Sequence, residues 1–228
     1  MKKLLAFIIV LLIVLSTPAF AAGKLTVTQE AFYVRTYSSY FAGAIYAELT
    51  NTGDKPVKFN GGLIELFNED GDSIESSNIY SCYPPILGPG EAGYIYFTTP
   101  VKEAEEKSYI DDYTLTVTSK GENKEGIKYL PSVGEYIEIQ KSSSKDFNLS
   151  ATIQNDTDSL LKKISVAFAL YDADDKLIYT DYTSPYSIGV PSGQTIVVFT
   201  NVERRIIDVW ETDGISPARI ETIAYSED

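Results

Sequence analysis

The chain has 228 residues, a formal net charge of −13 and no histidine. So acidic a molecule is repelled by nucleic acid and by anionic lipid, and without an imidazole it cannot build a Ser-His-Asp or Cys-His pair or a histidine-ligated metal site. Its single cysteine, Cys82, has no internal disulfide partner, so stability has to come from packed apolar cores.

The N-terminus reads as an export signal. Met1-Lys2-Lys3 is a short basic start, Leu4 to Leu15 is an unbroken apolar run, Ser16, Thr17 and Pro18 break it, and Ala19-Phe20-Ala21 follows as a small-x-small cleavage site. The run is short for a permanent anchor. The expectation is a signal helix removed after Ala21 (residues 1–21), with an uncleaved N-terminal helix as the alternative. Cleavage would remove Lys2 and Lys3 and no acid, taking the charge from −13 to −15. No later apolar run is long enough to span a bilayer. The expected mature chain is therefore off the membrane and extracytoplasmic: secreted, periplasmic or at the cell surface.

From residue 24 onward the apolar period is two. Ile45, Ala47 and Leu49 alternate with Ala44, Tyr46 and Glu48, as in a strand with one buried face. Turn-rich "NTGDKP" (51–56) precedes strands over 62–67 and 73–80. "LGPGEAG" (87–93) then leads into 94–99, and a last strand covers 113–119. Polar "SKGENKEG" (119–126) is the linker candidate. The same order then recurs. Leu149, Ala151 and Ile153 fall 104 residues after Ile45, Ala47 and Leu49, Asn155 after Asn51, and Asp174 after Asp70. Beyond a length change, an offset of 102 sets Pro89 on Pro191 and Phe97-Thr98 on Phe199-Thr200. Later strands are expected over 165–171, 176–182, 196–201 and 218–225, and no helical stripe beyond two turns is expected apart from "VKEAEEK" (101–107), read as one short turn. The reading is all-β: two tandem antiparallel β-sandwich domains of immunoglobulin-like architecture, 24–120 and 127–228.

Phe168-Ala169-Leu170-Tyr171-Asp172, with Asn155 upstream and Pro191-Ser192-Gly193 downstream, resembles the FxLYD-type domain of exported prokaryotic proteins. The second repeat matches best but carries Asp174-Asp175 at the hairpin tip, where the family has glycine. The first keeps Asp70-Gly71 and Pro89-Gly90 with a weaker core motif, Ile64-Glu65-Leu66-Phe67-Asn68. The resemblance implies accessory immunoglobulin-like modules with no shared chemistry. The missing glycine predicts a longer or bulged loop at the second tip.

The candidate chemistry is sparse. Asp70 and Asp72, and Asp172 and Asp174, offer hard oxygen ligands of the kind Ca²⁺ takes. With Asn68 or Asp172 as position one, the twelfth position is Ile79 or Thr183, neither a bidentate ligand, and both acidic runs sit where one strand turns into the next. Hairpin tips are the expectation, with no metal and no cofactor. Cys82, in a turn-like "YSCYPP", is expected to be a buried or incidental thiol, and no acid pair stands out for carboxylate catalysis. Seventeen tyrosines leave an aromatic binding surface open. Tyr80 and Tyr83 flank Cys82, Tyr182 and Tyr186 crowd the matching region, and Trp210 is either an exposed contact or a core plug. The expected role is non-catalytic binding of a protein or cell-envelope component, with carbohydrate binding by loop tyrosines and Trp210 as the alternative.

Overall fold

The computed structural model describes residues 23–102, 106–140, 145–185 and 189–227. The proposed signal segment, 1–21, and Tyr186 lie outside them. Alternation of β-branched and aromatic residues with polar ones gives fourteen strands among the described residues, in four antiparallel sheets. One sheet joins β1 (Leu25–Thr36), β2 (Phe41–Asn51) and β6 (Ala92–Val101). A second joins β3 (Val57–Phe67) to β4 (Ser73–Ile79), β5 (Ile86–Leu87) and β7 (Asp112–Gly121). In the second half, β9 (Ser132–Gln140), β10 (Lys145–Gln154) and β13 (Thr195–Asn201) form the third. The fourth runs in the order β12 (Leu177–Thr183), β11 (Ile164–Tyr171), β14 (Arg219–Glu227), β8 (Ile127–Leu130).

The expected buried face of β2 is where the pattern placed it: Ile45, Ala47 and Leu49 are fully buried against Ile64 and Leu66 of β3 and Ile95 of β6. The other face is not solvated. Ala44 and Tyr46 are equally buried, in a second apolar cluster with Phe168, Ala169, Leu170 and Tyr179 of the second half. The β1–β2–β6 sheet is therefore covered on both sides, and so is β11, every residue of which is buried.

The repeat is visible in hydrogen bonds. Buried Asn51 donates from Nδ2 to the carbonyls of Lys55 (2.8 Å) and Leu87 (2.9 Å), and its Oδ1 accepts from the Gly53 N–H (3.0 Å). Buried Asn155 makes the same three bonds, to Ser159 (2.8 Å), Val190 (2.8 Å) and Thr157 (3.0 Å). In both turns a glycine of positive φ, Gly90 at 74° and Gly193 at 73°, returns its N–H to the asparagine carbonyl. Gly90 therefore matches Gly193, an offset of 103 and not 102. The strands after this turn keep that offset: Ile95 stands opposite Ala47 as Val198 stands opposite Ala151. The Phe97–Phe199 identity is thus a coincidence one residue out of register. Because a one-residue slip turns a strand residue to the other face, Phe199 points outward.

The hairpin tips also match. Asn68 Oδ1 accepts the N–H groups of Asp70 (3.1 Å) and Asp72 (2.8 Å), while Asp172 Oδ1 accepts those of Asp174 (2.9 Å) and Lys176 (2.9 Å). Both hairpins carry a register shift, at Leu66/Phe67 and at Leu170/Tyr171. The bulge expected for the second tip is therefore common to both, and the loop is no longer. Asp175 itself takes the left-handed conformation of Gly71 (φ 62° against 80°), which aspartate tolerates better than most residues.

Two elements depart from the sequence reading. α1 (Arg204–Asp213) is a ten-residue helix where only a connection was expected. Ile206, Ile207 and Trp210 form its buried stripe, and Gly214 in the left-handed region ends it. The "VKEAEEK" segment (101–107) lies partly outside the described residues, and a single 3₁₀ turn, Lys107–Tyr109, begins at its last residue. Among the described residues no helix is long and apolar enough to cross a membrane. Because each buried asparagine satisfies two carbonyls and one N–H, Asn51→Ala and Asn155→Ala should each cost about 2–3 kcal/mol in urea unfolding. A loss below about 0.5 kcal/mol, the scatter of neutral surface changes, would show that the turn does not depend on the side chain.

Candidate functional site

The two halves meet through a layer of tyrosines. Tyr33 Oη donates to the Ile178 carbonyl (3.1 Å), Tyr171 Oη donates to Glu48 (2.7 Å), and the hydroxyls of Tyr94 and Tyr171 lie 3.2 Å apart. Thr180 Oγ1 donates to the Ile95 carbonyl (2.7 Å). At one side Arg35, buried on β1, donates to Tyr46 (3.1 Å) and Thr98 (3.0 Å) and pairs with Glu203 just before α1. Burial disfavours the Arg35 charge, but Tyr46, Glu203 and Tyr37 around it outweigh this and raise its pKa. Burial likewise raises the Tyr46, Tyr94 and Tyr171 hydroxyls and pushes Tyr33 up to about 12.

The sequence-derived candidates scatter. Tyr83 and Tyr182 come together, their rings stacked with centroids 3.6 Å apart and 10° between planes. Tyr80, 80% exposed, borders a separate depression of about 320 Å³ over Gly61, Gly62 and Leu63. Trp210 is 1% exposed, edge-on to Phe147 and Tyr179, so it is a core plug and cannot serve as an exposed contact. The carboxylates of Asp70, Asp72, Asp172 and Asp174 stay on their two hairpin tips. Among the described residues no three Cys, Asp or Glu side chains converge as a metal site. Cys82 is buried and unbonded, its thiol pushed up to about 12 by burial, far from the thiolate a nucleophile needs.

Beside the Tyr83–Tyr182 stack lies a cavity of about 520 Å³ lined by Lys162, Lys163, Ser165, Tyr182, Ser184 and Glu227. Two ammonium groups, two hydroxyls, a carboxylate and an aromatic ring can hydrogen-bond a polyol or an acidic group. The lysine pair and the serines were missed in the sequence. Two adjacent bases in an acidic chain were the available signal, but only the fold carries them to Tyr182, about twenty residues away.

No family model matches the chain, and no curated protein matches it. Of solved structures, it is similar to a red sea bream transglutaminase (11% identity, TM-score 0.23), where 89% of this chain aligns with 30% of the other. It is also similar to the C-terminal globular domain of the Pyrococcus abyssi oligosaccharyltransferase (8% identity, TM-score 0.21; 90% of this chain, 48% of the other). The chain thus spans less than half the length of either.

Asp181, next to the stacked Tyr182, accepts from Thr200 Oγ1 (2.6 Å) and from the Tyr182 N–H (2.8 Å). Burial raises its carboxyl above the ordinary 3.8, against the lowering effect of these bonds. Above its folded pKa the group is charged where charge is disfavoured, which costs stability. That cost is relieved as pH falls through the folded value toward 3.8, because there the folded chain holds the proton more tightly than the unfolded one. In Asp181→Asn the amide oxygen still accepts from the Tyr182 N–H and the amide NH₂ can donate to Thr200 Oγ1 in a reversed bond, so the change should raise the melting temperature at pH 7, with a gain that shrinks as pH approaches 4. A gain independent of pH would show that ionisation is not the cause.

Proposed function

We propose that the chain is an exported, non-catalytic interaction module of two tandem immunoglobulin-like β-sandwiches of the FxLYD type, 24–120 and 127–228, following a signal peptide cleaved after Ala21. It acts outside the cytoplasm on a protein or cell-envelope component and uses no cofactor. The observation that carries this reading is the division of labour among side chains. The ionisable and aromatic groups that catalysis would draw on (Arg35, Glu48, Tyr94, Tyr171) are engaged in joining the halves. Meanwhile the outer face of the β9–β10–β13 sheet leaves Val133, Ile137, Val197 and Phe199 exposed. Contiguous apolar side chains in water mark contact surfaces.

Two measurements test this. The intact mass of the exported form should lack residues 1–21, and a mass that retains them would make the protein membrane-tethered. Mature chain on a matrix should retain an envelope protein in excess wall glycan, and Phe199→Ser should lose it. Retention unaffected by Phe199→Ser would remove that face from the reading.

A second reading, carbohydrate binding, draws on the cavity at Tyr182. It predicts calorimetric heats with wall or plant glycans that Tyr182→Ala abolishes. Trp210 fluorescence would not report such binding directly, since the indole is buried.

A further inference from the structure

The repeat assigns an occupant to the open sheet face. In the first half, the β1–β2–β6 sheet turns Tyr33, Ala44, Tyr46 and Tyr94 toward the second half, which buries them. The β9–β10–β13 sheet is the same sheet one repeat on. Tyr136 stands opposite Leu149 as Phe32 stands opposite Ile45, and Val198 opposite Ala151 as Ile95 opposite Ala47. With the registers equal, Tyr33 corresponds to Ile137, Tyr94 to Val197 and Tyr96 to Phe199. In the first half Tyr33 and Tyr94 are buried while Tyr96 is 45% exposed; in the second, Ile137 is 54%, Val197 49% and Phe199 68% exposed, so the covered part of the face is open there.

The surface that does the covering also recurs. On the second half it is the outer side of β11 and β12, where Ala167, Ala169 and Tyr171 lie fully buried and Thr180 bonds the first half. One repeat earlier these positions are Leu63, Glu65, Phe67 and Ser76, on the outer side of β3 and β4, again set by matching registers. That side is open too. Leu63 is exposed beside the depression of about 320 Å³ floored by Gly61 and Gly62. Each chain thus ends in an unused half of the interface that already joins its own two halves.

We propose that a second copy of this chain covers the β9–β10–β13 face, docking head-to-tail through the outer face of its own β3–β4 hairpin. The contact repeats the internal one, with the Phe199 side of one copy over the Leu63 depression of the next. Such a contact is heterologous, so it does not close on itself and adds copies in a line. Glu135 and Asp146 on the first face and Glu65 on the second are like charges, and the chains are acidic overall. The association is therefore weak and appears at high concentration.

The inference rests on the reading of the chain as an interaction module. It is measured on the purified mature chain alone, so its failure leaves envelope binding standing, and failure of envelope binding leaves it standing. Sedimentation velocity of the wild-type chain up to about 1 mM, the weak end of specific association, should show a weight-average mass rising past that of a dimer. Phe199→Asp and Leu63→Asp, both at exposed sites and checked for native circular dichroism, should each sediment as monomers. Mixed in equal amounts they should form a complex that stops at two chains, since one sound copy of each face remains. A wild-type chain that stays monomeric would overturn the proposal. So would Leu63→Asp associating as wild type does, which would mean a two-fold pairing of the Phe199 faces, or a mixture that forms no complex.

Discussion

The structure depends on one sheet being dry on both sides. β1, β2 and β6 give Ile45, Ala47, Leu49 and Ile95 to one cluster and Ala44, Tyr46, Tyr33 and Tyr94 to the other. On a sheet so placed each unpaired polar tip is costly, because a buried hydroxyl without a partner costs a few kcal/mol; Thr99 Oγ1 and Arg35 Nε bear that cost, while the tyrosine hydroxyls are paired. Tyrosine meets the requirement. Its ring fills the space between sheets, and its hydroxyl reaches a carbonyl, a carboxylate or another hydroxyl across the junction. Arg35 follows the same rule at higher stakes. Its charge is almost wholly withdrawn from water, and it is kept by Glu203 and by three hydroxyls, those of Tyr37, Tyr46 and Thr98.

The halves therefore share a core. The second half closes one side of the first-half sheet and anchors Arg35 through the segment that leads into α1. Among the described residues of the first half, the matching place holds the 3₁₀ turn Lys107–Tyr109. The helix delivers Trp210 against Phe147 and Tyr179 beneath the junction, so the tryptophan serves packing and is unavailable to a ligand. Small side chains at Ala167 and Ala169 let the β11 backbone approach the tyrosine layer. Bulkier Leu63 and Glu65 hold the matching places on the free face of the first half.

Local features were legible where a residue's role is settled by its neighbours in the chain. Asn51 and Asn155 with their glycines, the Asn68 and Asp172 hairpin tips and the strand alternation all follow from backbone geometry within a few residues. Two readings failed for identifiable reasons, and a third held more widely than expected. The Phe97–Phe199 match was misleading because identity was weighed above period, and the asparagine-turn hydrogen bonds set the true offset. The α1 stripe of Ile206, Ile207 and Trp210 was too short to stand out beside long alternating strands. The bulge expected only at Asp175 proved common to both hairpins, because the side chain of the first tip residue, Asn68 or Asp172, organises the loop whether or not a glycine follows. Of the site residues, Tyr83 and Tyr182 were named from crowding alone. Their stacking on each other, and the nearness of Lys162 and Lys163, required the fold.

By itself the sequence determined the all-β class, the positions of most strands (β1, β8 and β9 among the exceptions), the repeat and the absence of imidazole chemistry, because each of these is written in composition or in contacts of short range. Only the tertiary structure decided which strand faces are dry. Ala44 and Tyr46 lie on the face that the alternation leaves to solvent, yet both are buried, while Phe199, aligned by sequence with half-buried Phe97, is exposed. A period of two marks where the faces of a strand alternate. Which face meets water depends on what the rest of the chain lays against it.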